Sequence, residues 1–384
     1  MNREKNVGRQ MNVLLVLGRY NTKTHRGVAR FAGRHNWHLN AEMAYSGQLP
    51  FGWSGDGILT LLDAQQGLID FVHAARVPVV DLSVIRQDIP LPRVAGDHHR
   101  IGSLAAEHFI ERGFRHFAWF SVYDDTVARL RLRGFQETLA RVGAACDPWF
   151  FESRSGERRD EWTDKCEFLE HRLKVSPKPV AVFAFCDVDA ANVLDACANI
   201  GLAEPEEVSI LGADNNELIC ESVRVPLSSV NHDLEAIGYE GAALLHRLMR
   251  GGRPPTAVKL IPPKAITVRQ STEVLAINHE TTRRALQFLQ ENYRRRIGAE
   301  EAASSCGISR RRLDQFFHQH LGRSVSDHLG ALRLIRAKEL LLGTGLSAAD
   351  VAARAGFNTP QYFSNVFRKS VGLTPRRFRL EHEK

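Results

Sequence analysis

Two stretches near the C-terminus repeat one pattern, and it constrains the fold more than anything else in the 384 residues. The first runs AEEAASSCGISRRRLDQFFHQHLG from Ala299 to Gly322, the second SAADVAARAGFNTPQYFSNVFRKSVGLTPRRFR from Ser347 to Arg379. Each predicts a short helix, a tight turn at a glycine (Gly307, Gly356) and a second helix opened by Ser309 or Thr359 as N-cap. This is the helix-turn-helix pattern, in which the second helix lies in the DNA major groove while the first crosses the backbone. Between the motifs, Ser324–Leu342 carries Leu329, Leu332, Ile335 and Leu340 at helical spacing, which predicts a helix roughly 28 Å long. The ~34 Å between major grooves on one face of B-DNA is close to that length, so the tandem is sized for adjacent turns of one duplex.

Charge falls in the same place. From His279 to Lys384 there are 19 Lys and Arg against 10 Asp and Glu, whereas the remainder carries 32 against 34. The excess positive charge sits where it can attract phosphates, and the preceding residues read as a neutral globular body. In the first recognition helix Leu313, Phe316 and Phe317 are expected in the core, which turns Arg311, Asp314, Gln315 and His318 outward. Arg310, Arg311 and Arg312 crowd a helix N-terminus, where the dipole favours acids, so they point to a polyanion. In the second, Pro360 suits the first helical position and Phe363, Val366 and Phe367 form the buried stripe. That leaves Gln361, Ser364, Asn365 and Arg368 exposed. Gln and Asn pair bidentately with adenine and Arg with guanine, while Arg376, Arg377 and Arg379 are expected at phosphates.

From Asn12 to about Arg269 short apolar runs alternate with amphipathic segments. Strands are expected at 12–17, 57–61, 78–82, 114–120, 180–185 and 208–212, and helices at 24–35, 65–75, 101–112, 127–142, 190–200 and 234–250. Such alternation means βαβ units and parallel sheets, and its length suits two lobes of roughly 130 residues each, with the break near Pro90–Asp97. The chain turns polar after Gln270, which places a linker at 271–280 between a sensing domain (11–270) and a helical domain (281–384). A helix at 281–293 opens the latter, with helix-turn-helix motifs at 299–320 and 347–370.

Six cysteines without C-x-x-C spacing read as buried free thiols of a reducing compartment. No metal site is expected. No apolar run approaches the ~20 residues of a membrane span. The run Val13–Leu17 is too short for a signal peptide and has no cleavage site. A cytoplasmic protein with no membrane partner is the expectation. The absence of G-x-G-x-x-G after the first strand, of G-x-x-x-x-G-K-[ST] and of G-x-S-x-G argues against an enzyme and against a cofactor.

The segment GFNTPQYFSNVFRKSVGLTPRRFR resembles the signature of the AraC/XylS family, including its F-R-K-x-x-G-x-T-P-x-x-F-R ending. Matching positions imply base contacts for Arg311, Gln315, Gln361 and Asn365, although the family usually has Arg or Lys where Asn365 stands. With Arg310, Arg368 and Arg376 these complete the expected DNA-binding set.

The α/β part resembles the periplasmic-binding-protein-like core of the LacI family. The likeness lies in VAGDHHRIGSLAAEHFIERGFRHFAWF (Val94–Phe120), ARLRLRGFQETL (Ala128–Leu139) and VSILGADNNELICESVRVPLSSVNHD (Val208–Asp233). Asp97, Arg131, Asp187 and Asp214 each lie just past an expected strand or at a helix start, and strand C-terminal ends line the crevice of a parallel sheet. Carboxylates and arginine make the strongest hydrogen bonds to sugar hydroxyls. The resemblance implies a sugar site of Asp97, Arg131 and Asp214, with Asp187, His232 and Tyr20 also carried over. On the residues alone, Asp187 could cap its helix, Asp214-Asn215-Asn216 could be turn chemistry and Arg131 a surface charge. His98-His99 is a loop pair with no distant metal partner in sight.

LacI-type repressors carry a helix-turn-helix before this core; here the first strand begins too early for one, and DNA reading is expected at the C-terminus. A LacI-like sensor followed by an AraC-type domain is similar to the arrangement of bacterial xylose-operon regulators. The resemblance implies a homodimer on a double-stranded DNA operator, a monosaccharide effector with D-xylose foremost, RNA polymerase as a further partner, and activation. A repressor released by ligand, or a response to another small molecule, stays open. A transport-type binding protein would suit the sensor fold but not the C-terminal tandem.

Overall fold

The computed structural model describes residues 9–152, 161–274, 280–295, 297–321 and 323–382. They divide into two compact units, one made of residues 9–106 and 116–273 and the other of 107–115 together with the described residues from 274 onward.

The α/β unit opens with β1 (Met11–Leu17), α1 (Thr22–Arg34), β2 (Trp37–Asn40), a turn of helix α2 (Met43–Ser46), β3 (Gly57–Leu61), α3 (Gln66–His73), β4 (Val79–Asp81) and β5 (Val94–Gly96). Val13–Val16 are buried throughout because β1 sits inside a parallel sheet of order β2-β1-β3-β4, covered on both faces. α1 starts where Asn21 accepts hydrogen bonds from the amides of Lys23 and Thr24, and it buries Val28, Phe31 and Ala32.

The second lobe follows with α4 (His98–Glu111), β6 (His116–Ser121), α5 (Thr126–Ala140), β7 (Cys146–Phe150), α6 (Glu161–Val175), β8 (Val180–Ala184), α7 (Asp187–Ile200), β9 (Val208–Ala213), α8 (Glu217–Cys220) and β10 (Ser228–Val230). The chain then returns to the first lobe. There α9 (Leu234–Met249) packs on α1, and β11 (Lys259–Ile261) pairs in parallel with β5. Finally β12 (Ile266–Thr267) pairs antiparallel with β10, giving a six-stranded sheet of order β12-β10-β9-β8-β6-β7.

The expectation of two consecutive lobes is therefore corrected. A crossing does follow β5, near the expected break, but the chain crosses again after β10 and between β11 and β12. The polar segment after Gln270 is also not free linker at its start. A 3-10 turn (Gln270–Thr272) buries Ser271 and Thr272 against β9 and β10. The expected linker residues 275–279 lie outside the described residues.

In each lobe two glycines let a helix pair touch backbone to backbone. A Cβ at Gly27 would lie 2.0 Å from the Glu235 carbonyl oxygen, and one at Gly238 would lie 2.1 Å from that of Thr24. In the second lobe Gly102 of α4 meets the Arg131 carbonyl and Gly134 of α5 that of His99, at 1.9 and 2.0 Å in the same sense. That second contact fixes where α5 presents Arg131.

The helical unit comprises α10 (Glu280–Asn292), α11 (Ala299–Ser305), α12 (Arg310–Leu321), α13 (Val325–Gly343), α14 (Ala348–Arg354), α15 (Pro360–Val371) and α16 (Pro375–His382). One core gathers Leu286, Leu289, Leu313 and Phe317 with Val325 and Leu329 of α13. A second gathers Val351, Phe357, Phe363, Phe367 and Phe378 with Ala337, Leu340 and Leu341 of the same helix. Gly307 and Gly356 take φ of +69° and +86°, as the tight turns require. Ser309 and Thr359 accept from the Arg312 and Tyr362 amides, and Ser324 caps α13 in a capping box with Asp327. Arg333 of α13 donates to the carbonyls of Tyr293, Arg295 and Ile297 at 2.9 Å each, tying the connecting helix to the segment before the first motif.

Candidate functional site

Within the α/β unit, five segments converge at the ends of the parallel strands. Asp97 and His98 follow β5, Phe185 follows β8, Asp214 follows β9, and His232 follows β10. Arg131 arrives from the middle of α5, not from a helix start, and is buried, which removes the surface-charge reading. Its Nη2 donates to Asp214 Oδ1 at 3.0 Å and its Nη1 to the Phe185 carbonyl. Its Nε reaches His98 Nδ1 at 3.4 Å, and the guanidinium lies 4.8 Å over the Phe185 ring.

Burial alone would raise the pKa of Asp214, but the Arg131 charge and the His232 hydrogen bond outweigh it and hold the carboxyl well below the usual range. Both contacts fall on Oδ1, and 27% of the side chain remains exposed.

His98 and His232 are pushed towards the neutral form, chiefly by burial, and their rings meet edge to face at 4.9 Å. His98 accepts from Arg131 at Nδ1, so its hydrogen sits on Nε2. At His232, Nδ1 lies 3.1 Å from Asp214 and 3.3 Å from Arg131 Nη2, and a neutral ring satisfies one of them. Donation to the carboxylate is the shorter and charge-assisted choice, so we assign the hydrogen to Nδ1. Nε2 is then a bare acceptor, buried without a partner among the described residues.

Of the other expected residues, Asp97 caps α4 by accepting from the Arg100 amide at 2.9 Å and stands beside His98. Asp187 does not cap its helix: Cys186 is the N-cap residue. Its carboxylate lies behind the Asp214 loop, accepting from Ser229 Oγ at 2.6 Å and the Asn216 amide at 2.7 Å. Burial, with the Asp214 charge adding, pushes it up to about 7. Tyr20 stands apart from the Arg131 cluster, 42% exposed, with its hydroxyl 2.9 Å from His25 Nδ1.

Sequence reasoning missed His98, which it took with His99 as one unit. The two diverge, His98 into the cluster and His99 outward to Glu137 at 2.9 Å. Asp189, buried and pushed up to about 7 by burial, was missed as well. So were the contacts that bridge the lobes: Arg19 to Asp125 at 3.0 Å and over the Tyr123 ring at 4.3 Å, and Lys23 to Glu217 at 2.9 Å. Charged residues just past β1 were the available signal. No group of three or more His, Cys, Asp or Glu among the described residues could hold a metal.

In the helical unit Arg310, Arg311, Gln315 and His318 are exposed on α12 and line a shallow hollow with Asp314. Arg310 is paired with Glu300 at 3.5 Å and Asp314 at 3.6 Å. On α15, Gln361, Asn365 and Arg368 are exposed at i, i+4 and i+7, which is one helix face, and the 58%-exposed Tyr362 is a neighbour not foreseen. Phe316 and Val366, expected in the cores, are only half-buried. Arg376 and Arg377 are exposed on α16, but Arg379 corrects the expectation of a phosphate contact. It turns inward, donating to the carbonyls of Leu341 at 3.0 Å and Leu346 at 2.6 Å.

Comparison with known proteins agrees with this division. Residues 106–272 match the periplasmic binding protein-like domain and residues 302–381 a helix-turn-helix domain. The xylose operon regulatory protein of Escherichia coli K12 is 24% identical over 380 residues, 94% of each chain. That of Haemophilus influenzae is 28% identical over 289 residues, 75% of each. The solved structure of the xylose-binding transcription activator xylR aligns with a TM-score of 0.61 at 24% identity, covering 97% of this chain and 98% of that one.

Proposed function

We propose that the chain is a DNA-binding transcriptional regulator that joins a periplasmic binding protein-like sensor to an AraC-type helix-turn-helix domain, and that a monosaccharide, D-xylose first, is its switch. The Arg131–Asp214–His232 cluster at the strand ends carries this reading, with Arg131 and His232 buried and Asp214 partly exposed. Asp214 keeps an ionised carboxylate at the cleft with Oδ2 open to accept from a sugar hydroxyl, and Arg131 and His232 hold it in place. His98 and Asp97 border the same cluster. The relatives that match along the chain are named for a xylose operon, and the solved one for binding xylose, which makes that pentose the first to try.

In this reading the protein works in the cytoplasm as a homodimer on a double-stranded operator with two half-sites. Gln361, Asn365 and Arg368 on α15 and Arg311 and Gln315 on α12 read bases, and Arg310 and Arg376 hold phosphates. Sugar favours one arrangement of the sensor by binding it better, and that alters how the two DNA-binding domains engage together. The outcome is activation, with RNA polymerase recruited at the operator.

Calorimetric titration of the whole chain with D-xylose and a panel of pentoses and hexoses tests the sensor. Saturable D-xylose binding, lost in Asp214→Ala, is expected; silence across the panel overturns the sugar reading. Operator DNA affinity and spacing preference that do not change with bound sugar would overturn the switch.

A further inference from the structure

Three parts of the sensor unit take hold of the loop that carries Asp214. Asp214 and Asn215 have φ of +97° and +48°. Asp and Asn tolerate positive φ better than other residues with a side chain, but two in succession, with Asp214 beyond the usual left-handed range, call for a loop that is held. From behind, Asp187 accepts from the Asn216 amide and from Ser229 Oγ, which in turn accepts from the Asn215 amide at 2.9 Å. From the first lobe, Lys23 donates to the Asn215 carbonyl and pairs with Glu217.

The third hold comes from the segment by which the chain leaves the sensor. Arg269 Nη1 donates to Asn215 Oδ1 at 3.0 Å and to the Leu227 carbonyl at 2.9 Å, and Nη2 pairs with Glu221 at 3.2 Å. The Arg269 backbone is itself laced to β10: its amide donates to Ser228 Oγ at 2.8 Å and its carbonyl accepts from that hydroxyl at 2.9 Å. Ser271 and Thr272 continue the lacing, and the sensor unit ends at Glu273.

We propose that the Asn215–Arg269 contact is the relay by which an occupied cleft acts on the segment leading to the helix-turn-helix domain. It rests on the reading of Asp214 as a sugar ligand. One end of the contact is the residue next to Asp214; the other is the exit segment. A hydroxyl bound at Asp214 changes the load on a loop already held off its relaxed backbone conformation. Asn215 shifts with it, and Arg269 passes the shift to residues 269–273. Lys23 makes the same loop sensitive to the other lobe, so closing and signalling meet at Asn215. A ligand biases such an equilibrium only through interactions that differ between the two states, and this contact supplies one.

The test uses the full chain with D-xylose as the probe. Calorimetry reports binding, and hydrogen–deuterium exchange over residues 266–274 and 280–292 reports transmission. Arg269→Met removes the guanidinium and keeps the apolar stem. Asn215→Gly removes the amide and keeps the positive φ, so it guards against a fold defect in the first variant. Both variants are expected to bind D-xylose within about threefold of the wild type. Both are expected to lose the xylose-dependent change in exchange at 266–274 and 280–292, with the double variant no worse than either alone. Persistence of that change in either variant overturns the relay. So does loss of sugar binding in both, which would make Arg269 and Asn215 part of the ligand site. A wild type that binds no sugar in the panel is a different failure: it removes the sugar reading and the relay with it.

Discussion

In the sensor, Arg131, Asp214 and His232 come from three separated elements, are bonded to each other and are mostly out of water. In the helical domain, Gln361, Asn365 and Arg368 come from one helix and stand in solvent. The first group is preorganised by the fold, so under the proposed function its members carry stability as well as recognition. The second is positioned only by the helix beneath it, through Phe363 and Phe367, so its members are free to change without disturbing the core. Cleft substitutions should therefore damage two properties at once, and groove substitutions one.

Asp214→Ala gives the largest expected effect. Besides abolishing sugar binding, it leaves the Arg131 charge buried without its carboxylate, which costs about 3 kcal/mol. Urea unfolding followed through the sensor tryptophans measures this; an unchanged midpoint would show that the pair adds nothing and break the contrast.

His328 provides a buried group on the other side of the comparison. It lies in the first helical core against Phe317, with both ring nitrogens unpartnered among the described residues, and burial lowers its pKa to about 3. The unfolded ring takes up its proton near pH 6.5, before the folded one can, so this contribution to stability is whole above that pH and declines as pH falls towards about 3. At pH 5 the loss is about 2 kcal/mol, and His328→Leu should remove this pH dependence. Hydrogen exchange at the Phe317 and Leu329 amides across pH 5 to 7, corrected for intrinsic rates, checks it.

Smaller again is Gln361→Ala, expected to weaken operator binding by about 1 kcal/mol, the low end for one base contact, and to relax preference at one base pair. The melting temperature should stay put, which thermal denaturation would verify. Smallest is Arg376→Ala, a uniform weakening across DNA sequences that lowers the salt slope of binding by about 1. Arg379→Ala sharpens the point: it should destabilise the helical domain, because its partners are the carbonyls of Leu341 and Leu346.

What could be read in the chain follows from how local each signal is. The tandem motifs were legible because caps, turn glycines and apolar spacing all lie within about 22 residues of each other. The long strands β1, β3, β6, β8 and β9 were legible as apolar runs bounded by helices. β7 was not, since Pro148 argues against a strand; β7 lies at the sheet edge, where a missing N–H is tolerated. The return of α9 and β11 to the first lobe depends on contacts such as Gly27 with Glu235, far apart in sequence.

The site divides in the same way. Arg131 and Asp214 fell in recognisable segments, and the structure brings them together. Asp187 was identified by its place at a helix start, but its partners lie 29 and 42 residues away. Arg379 and Arg376 look alike in a basic run, and only the packing of Phe378 decides which one turns inward.

α13 has one end in each helical core, and this restricts how such a domain could evolve. Lengthening that helix by a single residue would rotate everything beyond it by about 100° and advance it about 1.5 Å, tearing Leu340 and Leu341 away from Phe363 and Phe367. An insertion of seven residues nearly restores the facing while displacing the far end by about 10 Å. The vocabulary of bases is thus open to drift one side chain at a time, while the ruler between the two words is fixed in whole-turn steps.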